Sequence, residues 1–457
     1  MHPILFRIPL LKTPLKLWWA IVAVAVLLAI FGVTNLKKER NIALGTVAAA
    51  LVLGPVAWKF RAVAYAASSL PIYSYGVMLG LSLVLGWYVT LTIADKEGLP
   101  RDPMATCYVV AAIGGMVGAR LAYVVMNLDD FKTLADVVDM RKGGLLVYGA
   151  IAGGFFGSWA YLRPQGIRVL PWADAAAPSL GIGIITAPIG AYLQGSDFGK
   201  QLGDWAPAWL RKLGEFPHWP NGTIPNGDGS PPFVRHLALY RGSPLAAKLT
   251  ALNHSFAVHP VQLYEALCGL ALVLLFFALR KRAVFRGQMF IVVLFAYGVF
   301  RFATDFLRDD IERDLWGPAY ARHLSIPLML FLMSVGFIFG LSRIVPKEQI
   351  RNLFRIISLV PSIAAFFLLK PASFSTPVGV RLTLSQWIAF ASTLSLSFLF
   401  AHLWQEARRQ PKLAMSLGDG AILIPAPPEP AKEPEEPAES AGGDDAPSKD
   451  DEPPKQV

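Results

Sequence analysis

His259-Pro260-Val261-Gln262-Leu263-Tyr264-Glu265 leads into an uncharged, mostly apolar run, Ala266 to Leu279. Proline at the second position suits a helix start, because its missing N–H is not needed there. Gln262 and Glu265 then share one helix face, three residues apart. An amide and a carboxylate at the edge of a lipid-buried helix are costly, so such groups usually face a cavity. The stretch reads as the mouth of a membrane-spanning helix that carries chemistry.

Runs of that kind recur. Crossing a bilayer takes about 20 apolar residues, and such segments lie near 17–34, 42–58, 72–94, 104–126, 144–162, 173–194, 261–280, 287–307, 324–343, 352–370 and 383–404. The chain is 54% hydrophobic and 16% charged, with a mean hydropathy of +0.46. That excludes an ordinary soluble domain and predicts an all-α, polytopic transmembrane helical bundle. The first segment follows Arg7, Lys12 and Lys16 and is followed by Lys37-Lys38-Glu39-Arg40, with no clear small-x-small cleavage site. It reads as a retained helix rather than a signal peptide. Cys107 and Cys268 both fall inside spans and read as apolar thiols.

The net charge of +10 is uneven. From Asp419 onward eleven acidic residues face Lys432, Lys449 and Lys455, a net −8, which leaves +18 on the rest. A basic membrane body suits anionic lipid headgroups. Its basic residues are scattered among short loops, which speaks against nucleic acid as a partner.

The long loop at 196–258 reads as a small extramembrane head whose tryptophans suit the interface. Residues 405–457 form an acidic, Pro-rich tail with too little apolar surface to fold. With the long loop outside, most of the basic connections fall inside. These include Lys96-Arg101, Arg163-Arg168, Arg280 to Arg286, Arg343-Lys347-Arg351 and Arg408-Arg409-Lys412. That orientation predicts a multi-pass membrane protein with its tail inside.

Four places carry groups that lipid rejects. Tyr75-Gly76 opens the third span. Gly114 to Tyr123 holds Gly114 and Gly118 at small-xxx-small spacing, read as close packing, and Arg120, which must find a partner or a cavity. Gly143 to Gly154 is again a packing stretch, with no GK[ST] to support nucleotide binding; its Tyr148 is either an interface phenol or a site residue. In Tyr297 to Arg308, the residues Arg301, Asp305 and Arg308 form one helical stripe. A structural ion pair explains them, yet a guanidinium held by a carboxylate beside a cavity is also how a site grips phosphate. His254 and His259 show no metal-site spacing. His259 reads as a device that orients the Gln262 and Glu265 face. Neither a metal nor a cofactor is expected.

These pieces, in this order, resemble the bacterial prolipoprotein diacylglyceryl transferases over about 72–308, with Leu382 to Trp387 resembling the start of the family's last helix. The His-Pro-x-Gln-Leu-Tyr-Glu string carries most of the specificity. The resemblance implies a seven-span core at 72–308 (head 196–258 included) plus 381–404. Extra transmembrane helices would lie at 1–60 and inserted ones at 309–380. It implies transfer of a diacylglyceryl group from phosphatidylglycerol to the lipobox cysteine thiol of a preprolipoprotein. The product is a thioether and glycerol 1-phosphate leaves, the first step of bacterial lipoprotein biosynthesis. Membrane lipids and signal peptides would be the partners. By position, Arg301, Glu265 and Tyr148 would be catalytic, and Tyr75, Arg120, Gln262, His259, Tyr264, Asp305, Arg308, Gln194 and Asp197 would bind substrate.

Three departures from the family pattern stand out. Tyr148 replaces a histidine. Pro188-Ile189-Gly190-Ala191-Tyr192 replaces an Arg-Ile-Gly-Asn-Phe segment. Ser196 replaces an acidic residue, with Asp197 beside it. Loss of a phosphate-binding arginine costs about 2–5 kcal/mol if nothing replaces it, and Arg120 is the candidate replacement. The alternative reading is a catalytically impaired homologue that binds lipid or lipoprotein without turnover. A transporter is a third class, for which the sequence shows no inverted repeat.

Overall fold

A computed structural model describes residues 3–9, 15–35, 69–131, 146–219, 229–309, 315–371 and 378–418, with scattered positions from 50 to 65 and at 133, 137 and 144. The helices are α1 (Leu17–Asn35), α2 (Ser74–Lys96), α3 (Arg101–Met126), α4 (Val147–Leu162), α5 (Val169–Gln194), α6 (Ala208–Leu213), α7 (Pro231–Leu239), α8 (Pro244–Leu252), α9 (Val261–Leu279), α10 (Gln288–Thr304), α11 (Arg322–Phe339), α12 (Glu348–Leu368), α13 (Leu384–Arg409) and α14 (Pro411–Ala414). Among the described residues eight are long and apolar enough to cross a membrane: α2, α3, α5 and α9 to α13. The 144–162 segment folds as α4, only 16 residues long, and 42–58 lies largely outside the described residues.

The bundle is not purely helical. Three two-stranded antiparallel pairs cross its loops: β1 (Ile4–Pro9) with β4 (Ser69–Tyr73), β2 (Leu15–Lys16) with β3 (Ala64–Tyr65), and β5 (Leu315–Ala321) with β6 (Gly379–Thr383). The third pair brackets α11 and α12, setting Leu315 opposite Thr383.

Small residues set the closest packing. A Cβ on Gly114 would stand 2.7 Å from the Gly153 carbonyl oxygen, and one on Gly118 2.8 Å from the Gly153 Cα. The α3–α4 seam therefore closes to backbone contact, as the small-xxx-small spacing predicts. A Cβ on Gly269 of α9 would meet the backbone of Gly181 and Ile184 in α5. α13, not α11, lies along α10. Asp174 of α5, a buried carboxylate, accepts from the amides of Gly287 (2.6 Å) and Phe290 (2.9 Å) and so caps the start of α10. An anion suits that end of a helix, which fixes α10 against α5.

The basic connections gather on the face opposite the head. There Glu97 accepts from Arg280 (2.8 Å) and Arg286 (2.5 Å). Burial alone would raise the Glu97 carboxyl; the two guanidiniums outweigh it and hold it below its ordinary range. The expected tail begins later than 405. α13 runs to Arg409, and the segment that follows it, α14 and Met415 to Gly418, hydrogen-bonds under this face: the carbonyls of Ala414 and Leu417 accept from the amides of Arg286 and Arg168. Residues 419–457 lie outside the described ones.

Candidate active site

The head is stitched to the ends of α9 and α10 by backbone hydrogen bonds. Gly199 donates to His259 (3.0 Å), His259 to Lys200 (2.8 Å), and Lys200 to Leu307 (2.7 Å). Phe198, Phe216 and Val258 form a small apolar core beneath it. This stitching lays Ser196 and Asp197 over the charged ends of the two spans.

Arg301, near the end of α10, donates to Glu265 of α9 at 2.6 Å, and its other terminal nitrogen stands 3.6 Å from Asp305. Arg308 donates to Asp197 of the head and stands 3.9 Å from Glu265. Glu265 is thus shared by two guanidiniums, and carboxylates from three segments surround them. The Arg301 and Glu265 side chains are 16% and 17% exposed and that of Asp305 is 3%. In such a dry setting charge-assisted bonds are strong, and leaving one partner alone is costly.

Gln262, one turn before Glu265 and fully buried, donates its amide to the Ser196 carbonyl at 2.5 Å. Its side-chain oxygen is buried with no hydrogen-bond partner. Tyr148 donates to the Ser385 carbonyl at the start of α13 (3.0 Å), within the electrostatic reach of Arg301 and Asp305. Tyr75, at the start of α2, lies within that of Asp197. These residues converge from α2, α4, α9, α10, α13 and the head.

The other expected members have surroundings of their own. His259 and Tyr264 face each other, imidazole to phenol at 3.4 Å, at the head junction. Burial and then Lys200 hold the His259 imidazole below its ordinary value. Gln194 closes α5. Arg120 points into the α3–α4 connection, donating to the carbonyls of Val137 (2.8 Å) and Gly144 (3.3 Å) and lying over the rings of Tyr123 and Phe131. It is engaged there by groups that the apolar run around it could not reveal. Pro188 sits half-buried inside α5.

The family model for prolipoprotein diacylglyceryl transferase matches residues 62–339, well over half of the chain. The chain belongs to the prolipoprotein diacylglyceryl transferase family. Proteins named phosphatidylglycerol–prolipoprotein diacylglyceryl transferase from Bacillus cereus (strain B4264), Bacillus thuringiensis subsp. konkukian and Bacillus anthracis are each 26% identical over 270 residues, 59% of this chain and 87% of theirs. The family match runs beyond 308 into α11, while the start of α13 meets the cluster in space through the Ser385 carbonyl that accepts from Tyr148.

Two residues of this family member's cluster escaped the sequence reading. Tyr297 lies one turn before Arg301, within electrostatic reach of Arg301, Glu265, Arg308 and Asp305; its place on the 301–305–308 stripe was the available signal. Thr383 donates its hydroxyl to Asp305. Its Thr-x-x-Gln spacing signals a helix cap, and nothing local signals its link to Asp305, 78 residues away along the chain.

Proposed function

We propose that this chain transfers the diacylglyceryl group of phosphatidylglycerol to the lipobox cysteine of preprolipoproteins in the bacterial inner membrane, with the head outside and the tail in the cytoplasm. Loop charge supports the orientation: the basic connections share the face opposite the head. The observation that carries the activity is Arg301, held half-buried between Glu265 and Asp305, with Arg308 bridging Glu265 and Asp197. Two planar guanidiniums, one of them bonded to the head through Asp197, suit the oxygens of a phosphodiester.

In the reaction the thiolate sulfur attacks the glyceryl carbon that bears the phosphate. A C–S bond forms, and the C–O bond to phosphate breaks with its electrons passing to the oxygen. The thiol proton is given up to a base, and glycerol 1-phosphate departs. Arg301 and Arg308 stabilise charge building on the leaving phosphate, while Glu265 and Asp305 keep the forks preorganised. Asp197, the most exposed of the carboxylates at 43%, is the one a phosphate can displace from Arg308.

A second reading, lipid or lipoprotein binding without turnover, is favoured by two observations. Three carboxylates already surround the two guanidiniums, and no arginine stands at 188. The test is thioether formation on a lipobox peptide by purified protein in phosphatidylglycerol, beside Pro188→Arg. Turnover by the wild type supports transfer. Lipid binding without turnover, with activity appearing in Pro188→Arg, supports the second reading.

A further inference from the structure

We propose that Thr383 is a positioning residue: its hydroxyl orients Asp305 so that the other carboxylate oxygen faces Arg301. This rests on the phosphate-handling role given to Arg301 above. Thr383 and Asp305 are 4% and 2% exposed. Thr383 is the N-cap of α13. Its hydroxyl oxygen accepts from the Gln386 amide (3.2 Å), and its own amide donates to the Gln386 side chain (3.0 Å), a reciprocal capping box. A hydroxyl has one proton to give. With a lone pair committed to the cap, that proton is aimed at Asp305 Oδ2, leaving Oδ1 facing Arg301 Nη2 at 3.6 Å. The start of α13 also favours a carboxylate beside it.

The placement ties α11 and α12 to the site. The chain leaves the cluster at Arg308, pairs β5 with β6, passes through α11 and α12, and returns at Thr383 opposite Leu315. Both ends of this excursion, at Arg308 and Thr383, therefore meet the charged cluster. Tyr148 bonds two residues further on, at Ser385, so α13 carries the support for both Asp305 and the phenol.

Capping alone would also explain a buried threonine here, and the experiment separates the two roles. Full-length Thr383→Val, Thr383→Ser, Gln386→Met and Asp305→Asn are assayed with a lipobox peptide for kcat and KM toward phosphatidylglycerol. Binding to phosphatidylglycerol vesicles is measured in parallel. Thr383→Val should lower kcat/KM about ten- to a hundredfold. Thr383→Ser should restore most of it. Gln386→Met, which removes the reciprocal cap bond and leaves the hydroxyl, should stay near wild type. Thr383→Val in an Asp305→Asn background should cost nothing more. If valine yields little folded protein, alanine takes its place. Wild-type kinetics in Thr383→Val, or an equal loss in Gln386→Met, overturns the proposal and leaves the transferase reading standing. If the wild type binds phosphatidylglycerol without converting it, the transferase reading fails. The same variants then decide through affinity: a loss in Thr383→Val spared in Gln386→Met supports positioning, and unchanged binding overturns it. A wild type that neither binds nor converts the lipid overturns both.

Discussion

Arg301 of α10 and Glu265 of α9 meet at 2.6 Å across two spans whose sequences are otherwise almost wholly apolar. The pair satisfies two charges that lipid would not tolerate singly, and it sets the distance between the two helix ends that carry the head. Glu265 also faces Arg308, so one carboxylate organises both guanidiniums.

Arg301→Ala is expected to abolish thioether formation and to destabilise the fold by about 3–5 kcal/mol, because Glu265 is left buried without its closest partner. Arg301→Lys should recover stability but little activity, since an ammonium lacks the planar fork. Peptide lipidation followed by mass spectrometry, beside thermal unfolding in detergent, reads both quantities. Full activity in Arg301→Ala would remove the proposed site.

The Arg308 link should be asymmetric. Asp197 is 43% exposed and Arg308 11%, so the carboxylate end gains little from an ion pair in contact with water. Asp197→Asn, which also tolerates the left-handed backbone there (φ 57°), is expected to cost under about 1 kcal/mol. Arg308→Ala should cost more, about 1–2 kcal/mol, because it removes a largely buried guanidinium that bonds Asp197 and faces Glu265, although Glu265 keeps Arg301 at 2.6 Å. Equal melting shifts for the two variants would contradict this ranking.

The α3–α4 seam predicts sharp intolerance to a single methyl. Gly118→Ala and Gly153→Ala push a Cβ into facing backbone, which cannot rotate away. Each should cost at least the roughly 1–3 kcal/mol of an overpacked core. Gly183→Ala, where nothing lies within 4 Å, should be neutral or slightly stabilising. Melting temperatures of the three variants in one detergent provide the comparison.

Acid should loosen the head. Burial lowers the His236 imidazole, with Arg235 acting the same way and Asp309 opposing; burial and Lys200 lower His259. Both sit below the ordinary 6.5, so the unfolded chain takes up protons first. Their contribution to stability is complete above about pH 6.5 and is lost as pH falls through the lower folded-state values. Melting temperature should drop between pH 7 and 5, and His236→Asn should flatten that dependence. A flat wild-type profile would refute it.

Length and hydropathy over single segments were enough to identify a membrane bundle and to locate α2, α3, α5 and α9 to α13, because crossing a bilayer is a local demand on about 20 consecutive residues. The stripe of Arg301, Asp305 and Arg308, the Gln262 and Glu265 face and the glycine seam were legible for the same reason: helical periodicity fixes which residues share a face. Partner choice was not legible. That Arg120 turns to the Val137 and Gly144 carbonyls, that Asp174 caps α10, that β5 pairs with β6, and that Thr383 reaches Asp305 all depend on segments tens of residues apart being brought together. A hydrogen bond or ion pair leaves no periodic trace in either strand of sequence it joins, so the tertiary fold alone decided which charges became neighbours.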